Sequence, residues 1–281
     1  MSGSVANVQQ RTPVAGPAFI RQLAQLLQLD VPGCAQPLSE RLSQWFDWNR
    51  AVALSRALDN PAVAAEPAAT TSGSPADEYR RLREGLERSI ARLDDPASIV
   101  MPPPRNRSDA SGGRADFEPF RQHYLGLQRS MLAASGRLRG SLRDLLATRG
   151  ADNARLAELD AVMEMTISPR EQTLLASVPM LLGQHFARLR QAHVAASVSD
   201  AGELAGVVAA VEAGSVASDG AEPLAPTAPV TADSGAGADD EVWLASFRRH
   251  MQDVLRAELD VRFQPIEGLL AALRHSQAMP S

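Results

Sequence analysis

The sequence predicts an all-α fold, in which a helical bundle with one long coiled-coil-like helix is interrupted by disordered low-complexity linkers. Aromatic residues make up only 4% of the 281 residues, so the core must be built from Leu, Val, Ala and Met. Such a core suits packed helices better than a β-sandwich, which favours β-branched and aromatic residues. The 19 Gly and 19 Pro residues cluster in a few stretches. Between these stretches, apolar residues recur every three or four positions, as they do in amphipathic helices.

The N-terminal region is predicted to be a disordered segment, 1–13, followed by a helical pair, 14–60. The first helix covers 17–29 and ends before Pro32, because proline disfavours the α conformation in the residue that precedes it. Its predicted apolar face consists of Ile20, Leu23 and Leu27. The second helix is predicted as one continuous element over 38–58.

Two low-complexity linkers surround a charged helix in the next part of the chain. Residues 61–74 are rich in Ala, Pro, Ser and Thr, and residues 95–115 contain three consecutive Pro and a Ser-Gly-Gly run. Both stretches carry the residues that break regular structure. Residues 75–94 are predicted to form an Arg- and Glu-rich helix, in which Glu84 and Arg88 have the i,i+4 spacing of a helical ion pair.

The bundle core is predicted over residues 116–194. Its main feature is a long helix ended by Gly150, about 45 Å in length at 1.5 Å per residue, with a heptad pattern of apolar residues. These residues are Phe117, Phe120, Tyr124, Leu127, Met131, Ala134, Leu138 and Leu145, with Ser141 as the one polar member. Two more helices, 153–167 and 169–193, are expected to complete an antiparallel bundle.

The last part of the chain is predicted to be an acidic tether followed by one helix. Residues 195–240 contain acidic residues but no Arg or His, in an Ala-, Gly-, Ser- and Pro-rich background, which predicts disorder. Residues 241–274 are predicted to form the C-terminal helix, restarted or kinked at Pro265, and residues 275–281 a tail. The apolar positions of this helix include Trp243, Phe247, Met251, Val254, Leu255 and Leu259.

The absence of lysine excludes several classes of enzyme. All 28 Lys and Arg residues are Arg, against 33 Asp and Glu, for a net charge of -5. The chain therefore lacks a P-loop lysine, a kinase strand lysine and a Schiff-base amine, because arginine stays protonated and is no nucleophile. Cys34 is the only cysteine, which excludes an internal disulfide and a metal site with several cysteines.

No motif predicts a catalytic, metal or cofactor site. The five histidines, which are His123, His185, His193, His250 and His275, do not stand at chelating intervals from one another. Acidic pairs such as Glu158 with Asp160, or Glu164 with Glu171, are expected to be solvated charges on exposed helix faces. The chain is therefore predicted not to be an enzyme and to need no cofactor.

Neither a signal peptide nor a transmembrane segment is predicted. Residues 1–11 are polar and lack the apolar run of a signal peptide. No stretch reaches the ~18 uncharged apolar residues of a membrane span. A cytoplasmic location is therefore expected.

Aromatic residues near both ends of the chain are candidates for binding a protein partner. They are Trp45, Phe46, Trp48, Trp243, Phe247 and Phe263. The first three fall on one predicted short helix and cannot all face one narrow stripe. Some of them therefore mark a protein contact, or else the two faces of that helix pack against different helices of the same domain.

Arginines along the predicted long helix are candidates for binding an anion. They are Arg121, Arg129, Arg137, Arg139 and Arg143. Such a stripe fits nucleic acid, an anionic membrane surface or an acidic partner. A solvated bundle face balanced by the acidic tether is the alternative, because the whole chain is negative and no aromatic residues interleave the arginines as in single-strand binders.

Three segments resemble a family of bacterial proteins catalogued as domain of unknown function number 3348. They are residues 38–48 (LSERLSQWFDW) with Ala53-Leu54-Ser55, residues 156–163 with their Asp160-Ala161-Val162-Met163 core, and residues 257–270 (AELDVRFQPIEGLL). The resemblance covers nearly the whole chain, and the last segment is its most specific part. It implies a shared architecture and service to an envelope-associated assembly, and it transfers no catalytic or binding residue.

The leading functional hypothesis is a non-enzymatic helical adaptor or assembly protein. It would associate with itself or with a protein partner through the apolar stripes of the long helix and of the C-terminal helix. The alternative is a peripheral module in which the Arg-rich helix binds anionic lipid or nucleic acid. Salt-sensitive binding to such polyanions would favour that alternative.

Overall fold

The computed structural model describes residues 18–28, 37–59, 73–95, 97, 99, 116–213 and 236–278. Regular secondary structure within these ranges is helical and includes no strand, so the predicted all-α fold is confirmed. The helices are α1 (Ala18–Leu27), α2 (Leu38–Trp45), α3 (Trp48–Asp59), α4 (Pro75–Ala91), a 3-10 helix (Arg92–Asp94), α5 (Glu118–Ala147), α6 (Ala151–Leu175), α7 (Val178–Ala213) and α8 (Ala236–Ala278). The predicted tail 1–13, Cys34 and most of the predicted linkers 61–74 and 95–115 lie outside the described residues.

The chain divides into two compact units, each assembled from separate stretches. The first unit takes its described residues from Met1–Ile90, Gly126–Val178 and Asp253–Ser281, and the second from Ala91–Leu125 and Pro179–Gln252. The two longest apolar stripes of the sequence, on α5 and α8, contribute residues to both units.

The core of the first unit consists mainly of aliphatic side chains from α5 and α8, with smaller contributions from α4 and α6. From α5 it buries Leu127, Met131, Ala134, Leu138, Leu142 and Leu146, and from α8 Val254, Leu255, Leu259, Phe263, Ile266, Leu269 and Leu273. The spacing of three and four residues puts each set on one helix face, as the sequence predicts. Helix α3 packs against α6 in the same unit.

The heptad predicted for α5 is wrong in the last two turns. After Leu138, the buried residues are Leu142 and Leu146, whereas Ser141 is exposed and Leu145 is half-buried. A straight α-helix has 3.6 residues per turn, so a strict repeat of seven drifts off its buried face. Two consecutive steps of four residues keep the side chains on the core.

The predicted helix 38–58 is interrupted, which is a second correction. Phe46 is extended and Asp47 lies between α2 and α3. The Asp47 carboxylate accepts a hydrogen bond of 2.8 Å from the backbone N–H of Arg50, which is the geometry of an N-cap residue. Asp47 therefore begins a new helix where apolar periodicity alone predicts continuity.

Two prolines lie inside helices, one where the sequence analysis divided the helix and one where it expected a restart or a kink. Helix α6 continues through Pro169 to Leu175, and α8 runs through Pro265 without a break. The chain instead turns at residues 176–177, and Pro179 occupies the first turn of α7, where proline costs no hydrogen bond. Buried residues on both sides of each internal proline keep these helices continuous.

Both bounds of the predicted tether 195–240 are wrong, because residues at each end of this range are helical. Helix α7 continues to Ala213 and α8 begins at Ala236, while residues 214–235 lie outside the described part. Residues 201–213 are rich in Ala, the strongest helix former, which outweighs their two Gly. The tail predicted from residue 275 is also helical up to Ala278.

Helix α1 buries only part of the predicted face. Leu27 is buried as predicted and Leu23 is half-buried, whereas Ile20 is exposed. Phe19 and Ala24 are also buried, so the inward face includes residues on either side of the predicted stripe.

The second unit has an aromatic core. Phe120, Phe186 and Phe247 lie with their ring centroids 5.0 to 5.8 Å apart, and Trp243 packs edge-on against Phe186 at 5.1 Å. These distances are typical of favourable tilted and edge-to-face pairs. The rings come from α5, α7 and α8, so aromatic packing joins three helices of this unit.

Candidate functional site

Two arginines of α5 and two carboxylates of α6 form an ion-pair network in the first unit. Arg139 donates through Nε and Nη2 to the two carboxylate oxygens of Asp160, at 2.8 and 2.7 Å. Arg143 donates to Asp160 at 3.3 Å and to Glu164. All four side chains are largely buried. Spacing of four residues on each helix stacks the two pairs, which therefore align α5 with α6.

This network corrects the expectation that the acidic pairs are solvated. Glu158 is exposed, but Asp160 and Glu164 are held in ion pairs within the unit. Sequence spacing on one helix cannot show a partner that lies on another helix. The signal that was available is the matching i,i+4 spacing of Arg139 with Arg143 and of Asp160 with Glu164.

A second network surrounds Glu258 on α8, whose exposed fraction is 0%. Arg262 donates to one oxygen of this carboxylate through Nε and Nη2, at 3.0 and 2.8 Å. The side-chain amide of Gln128 on α5 lies 3.0 and 3.1 Å from the two oxygens. A buried carboxylate is tolerated only with such partners, because the cost of removing it from water is large.

Glu171 on α6 is the least well satisfied carboxylate of this region. Its nearest cationic atom is Nη1 of Arg262, at 3.7 Å, which is beyond hydrogen-bond distance. Burial raises the pKa of the Glu171 carboxyl, and the charges of Arg262 and Arg139 offset only part of that effect. Glu171 therefore shares a cation that is already bonded to Glu258.

We call these seven side chains the ionic cluster: Arg139, Arg143, Arg262, Asp160, Glu164, Glu171 and Glu258. Three guanidinium groups stand against four carboxylates, so the formal charge with every group ionised is 3 minus 4, or -1. The excess negative charge has its weakest compensation at Glu171.

The ionic cluster opens to the surface of the first unit through two adjoining cavities. The inner pocket, about 40 Å³, is lined by Arg139, Glu171 and Arg262 with the polar side chains of Ser135 and Ser168. The outer groove, about 550 Å³, is lined by Met165 and Pro169 of α6, Leu132 of α5 and Arg50 of α3. Leu132, Glu164, Ser168 and Gln172 line both cavities. We refer to the two together as the cleft.

The lip of the cleft is apolar and exposed. Met165 has an exposed fraction of 57% and Leu132 of 39%. Leu174, further along α6, is also exposed. Large apolar side chains grouped beside a groove are typical of surfaces that bind another molecule, whereas single ones are ordinary.

Arg83 joins α4 to α8 elsewhere in the first unit. Its guanidinium contacts the carboxylates of Asp260, Glu267 and Glu87. Tyr79 donates a hydrogen bond of 2.6 Å to Glu267, and burial with this contact raises the pKa of its phenol. An open cavity of about 410 Å³ adjoins these residues.

The segment 257–270, the most specific part of the family resemblance, supplies both of these contact regions. Glu258 and Arg262 belong to the ionic cluster, and Asp260 and Glu267 bind Arg83. Its polar residues therefore contact other helices, although the helix is otherwise part of the core. Sequence analysis found the segment but not its partners, because those partners lie up to 188 residues away along the chain.

Two histidines meet in the second unit, which the sequence analysis also missed. Nε2 of His185 on α7 lies 2.9 Å from Nδ1 of His250 on α8, although the residues are 65 positions apart. Arg188 lies 3.4 Å from the other ring nitrogen of His185. Over the described residues, no three or more His, Cys, Asp or Glu side chains are grouped closely enough to hold a metal ion.

The candidate partner-binding aromatics separate into two groups. Trp243, Phe247 and Phe263 are buried in the cores of their units, so they are unavailable to a partner. Trp45 is half-buried with the guanidinium of Arg170 4.9 Å from its ring centroid, and Phe46 is half-buried as well.

Trp48, by contrast, has an exposed fraction of 81%. The break between α2 and α3 separates it from the other two aromatics of the N-terminal region. It is the one candidate of the six that is fully presented at the surface.

The candidate anion-binding arginines do not form one available stripe. Arg139 and Arg143 belong to the ionic cluster, and Arg121 is paired with Glu118 at 3.1 Å. Arg129 and Arg137 are exposed on α5. Because these arginines point in different directions around the axis of α5, some lie against α6 and others lie at the surface.

Comparison with known proteins gives a family and no individual relative. Residues 5–275 match the family model described as Protein of unknown function (DUF3348). No curated protein and no solved structure matches the chain. In the described part of the chain, every helix is too short or too polar to cross a membrane. The match covers the three segments that carry the resemblance, so the chain belongs to the DUF3348 family of proteins of unknown function.

Proposed function

We propose that this chain is a non-enzymatic helical adaptor that binds a segment of a partner protein in the cleft of the first unit. The observation that carries the proposal is the exposed apolar lip of Met165, Leu132 and Pro169 around the outer groove of about 550 Å³. Protein interfaces combine an apolar centre of this kind with a polar rim.

The polar rim is present at the same place. Arg50, Glu164 and Gln172 line the outer groove beside its apolar residues. The groove is open and shallow, which suits a helix or an extended segment better than a small metabolite, since small-ligand sites enclose most of their ligand.

The adaptor function now rests on a different surface from the one that the sequence analysis favours. The apolar stripes of α5 and α8 are buried within the chain's own units, as Met131, Phe247 and Phe263 show. They stabilise the fold and are not available to a second molecule. The cleft of the first unit takes their place in the proposal.

Binding of lipid or nucleic acid has less support. Two of the five arginines on which that alternative depends are neutralised by Asp160 and Glu164. Nucleic-acid binding draws much of its affinity from cationic groups that neutralise phosphates and so release the counterions of the nucleic acid, and an arginine in a largely buried ion pair contributes little to it.

The substitution Met165→Glu tests the proposed function. It places a charge in the lip of the cleft on a side chain that is mostly exposed, so the fold should be retained. The matched control is Met180→Glu, which makes the same change at a residue of α7 with an exposed fraction of 60%. Proteins captured by the wild-type chain and both variants are compared, and a candidate partner is then purified.

The dissociation constant of that partner is measured by calorimetry. We expect Met165→Glu to weaken binding at least about tenfold, which corresponds to ~1.4 kcal/mol, and Met180→Glu to leave it unchanged. Equal effects of the two variants would show that the cleft is not the binding surface.

A further inference from the structure

The charge balance of the ionic cluster is incomplete, and the deficit faces the cleft. Four carboxylates share three guanidinium groups. In a partly buried site, an uncompensated charge is costly, because the surrounding medium screens it much less than water does. Within the ionic cluster, the carboxylates therefore outnumber the guanidinium groups by one.

The deficit is located at Glu171. Asp160 accepts a bidentate pair from Arg139, and Glu258 accepts two bonds from Arg262 and one from Gln128. Among the described residues, the ion pair made by Glu171 is the one of 3.7 Å with Arg262. Its carboxylate lines the inner pocket, with 30% of the side chain exposed.

We propose that the inner pocket receives the cationic head of an arginine or lysine side chain from the partner protein, which pairs with Glu171 and completes the charge balance of the ionic cluster. This inference rests on the proposed function, since it names the chemistry by which a partner is recognised in the cleft. Ser135, Ser168 and Gln172 line the same pocket and supply oxygen atoms for the remaining N–H groups of that cation.

The two cavities differ in size, as the cationic head and the longer aliphatic stem of a basic side chain do. The inner pocket of about 40 Å³ holds a small polar head, since a site for one water needs roughly 10–15 Å³. The outer groove accommodates the aliphatic stem and the apolar neighbours of the basic residue, beside Met165 and Leu132.

When the pocket is unoccupied, a proton can neutralise Glu171 instead. Burial raises the pKa of this carboxyl, so protonation and a partner's cation compete for the same site. An anionic or neutral side chain would leave the deficit in place. The cluster thus selects a basic residue against both alternatives.

The test uses three synthetic amphipathic helices that differ at one central position of their apolar face, which carries Arg, Gln or Glu. Calorimetry measures their binding to the full-length chain, to Glu171→Gln and to Glu158→Gln. The last variant is the matched control, because Glu158 is an exposed carboxylate on the same helix. Circular dichroism checks that each variant retains its helical content.

We expect the Arg peptide to bind the wild-type chain at least about tenfold more tightly than the Gln peptide, in line with the coupling of a well-placed interfacial ion pair. The Glu171→Gln variant should remove this difference, and Glu158→Gln should preserve it. Equal binding of the Arg and Gln peptides to the wild-type chain, or no binding of either, would overturn the cationic anchor.

Failure of the anchor and failure of the adaptor are distinguishable. If Met165→Glu abolishes binding of every peptide while Glu171→Gln leaves the preference for Arg unchanged, the cleft is a docking surface without a cation pocket. The proposed function would then stand and this inference would be wrong. If the partner used in the Met165→Glu experiment binds outside the cleft, the cleft is not the binding surface and the proposed function is wrong as stated.

Discussion

Single side chains of the segment 257–270 carry much of the specificity of the first unit. Glu258 is fully buried, so its carboxylate is acceptable only in an arrangement that brings Arg262 and Gln128 to it. Buried polar groups of this kind select one helix alignment over others that bury the same apolar area.

Removal of the cation from that site should destabilise the protein strongly. The substitution Arg262→Ala removes the guanidinium that pairs with the buried Glu258 carboxylate, and we expect a loss of about 3–5 kcal/mol in the free energy of unfolding. Urea denaturation measures the difference. The control Arg137→Ala removes an exposed arginine of α5 and should change stability by less than about 0.5 kcal/mol. Equal denaturation midpoints would contradict the assigned role of Arg262.

His123, at the start of α5, should make stability depend on pH. Burial lowers the pKa of this half-buried imidazole, and its Nε2 has no hydrogen-bond partner among the described residues. Below the usual histidine pKa of about 6.5, the unfolded chain binds this proton more readily than the folded chain. The contribution of His123 to the free energy of unfolding is therefore present above that pH and is lost as the pH falls.

The variant His123→Leu should remove this part of the pH dependence. Urea denaturation at about pH 8 and about pH 5 measures the slope in the wild-type chain and the variant. His275→Leu removes an exposed imidazole near the end of α8 and serves as the control. If His123→Leu left the change in stability between the two pH values as it is in the wild-type chain, His123 would not be its source.

At the scale of elements, helix boundaries depend on capping and turn residues more than on apolar periodicity. Apolar spacing continues across residues 38–58, yet Asp47 divides this stretch into α2 and α3. Gly150, with φ 106°, separates α5 from α6 in a backbone conformation that other residues rarely adopt. The sequence analysis predicted the second boundary, since glycine is a strong signal, and missed the first.

The cap at Asp47 should have a measurable effect on α3. In Asp47→Ala, the backbone N–H of Arg50 loses its acceptor and the Arg50 guanidinium loses its ion partner. We expect a loss of about 1 kcal/mol, with faster hydrogen exchange confined to α3. The matched control is Glu40→Ala, which removes an exposed carboxylate from the first turn of α2. Unchanged exchange in α3 would mean that packing on α6 alone maintains this helix.

At the scale of the whole molecule, α8 supplies core residues to both units. Phe247 and Met251 are fully buried in the second, and Phe263 and Ile266 in the first. A chain truncated after residue 235 should therefore lose cooperative unfolding and bind a hydrophobic dye, because both cores would be opened. Retention of a sharp thermal transition would contradict this expectation.

The contacts between helices that the sequence analysis missed share one physical cause, which is distance along the chain. Glu258 and Gln128 are 130 residues apart, and His185 and His250 are 65 apart. Periodicity reports which face of a helix is apolar, but it contains no information about which other helix lies against that face. The acidic residues of α6 were therefore assigned to solvent, although their partners on α5 lie beside them.

The sequence by itself determined the helical class, the existence of the long helices and the family, because these depend on local propensity, apolar spacing and contiguous segments. Only the tertiary structure decided which charges meet, which aromatics are buried and where a cleft remains open. Those outcomes depend on pairing helices that are distant in sequence. The ionic cluster and its deficit at Glu171 exist only once α5, α6 and α8 are packed together.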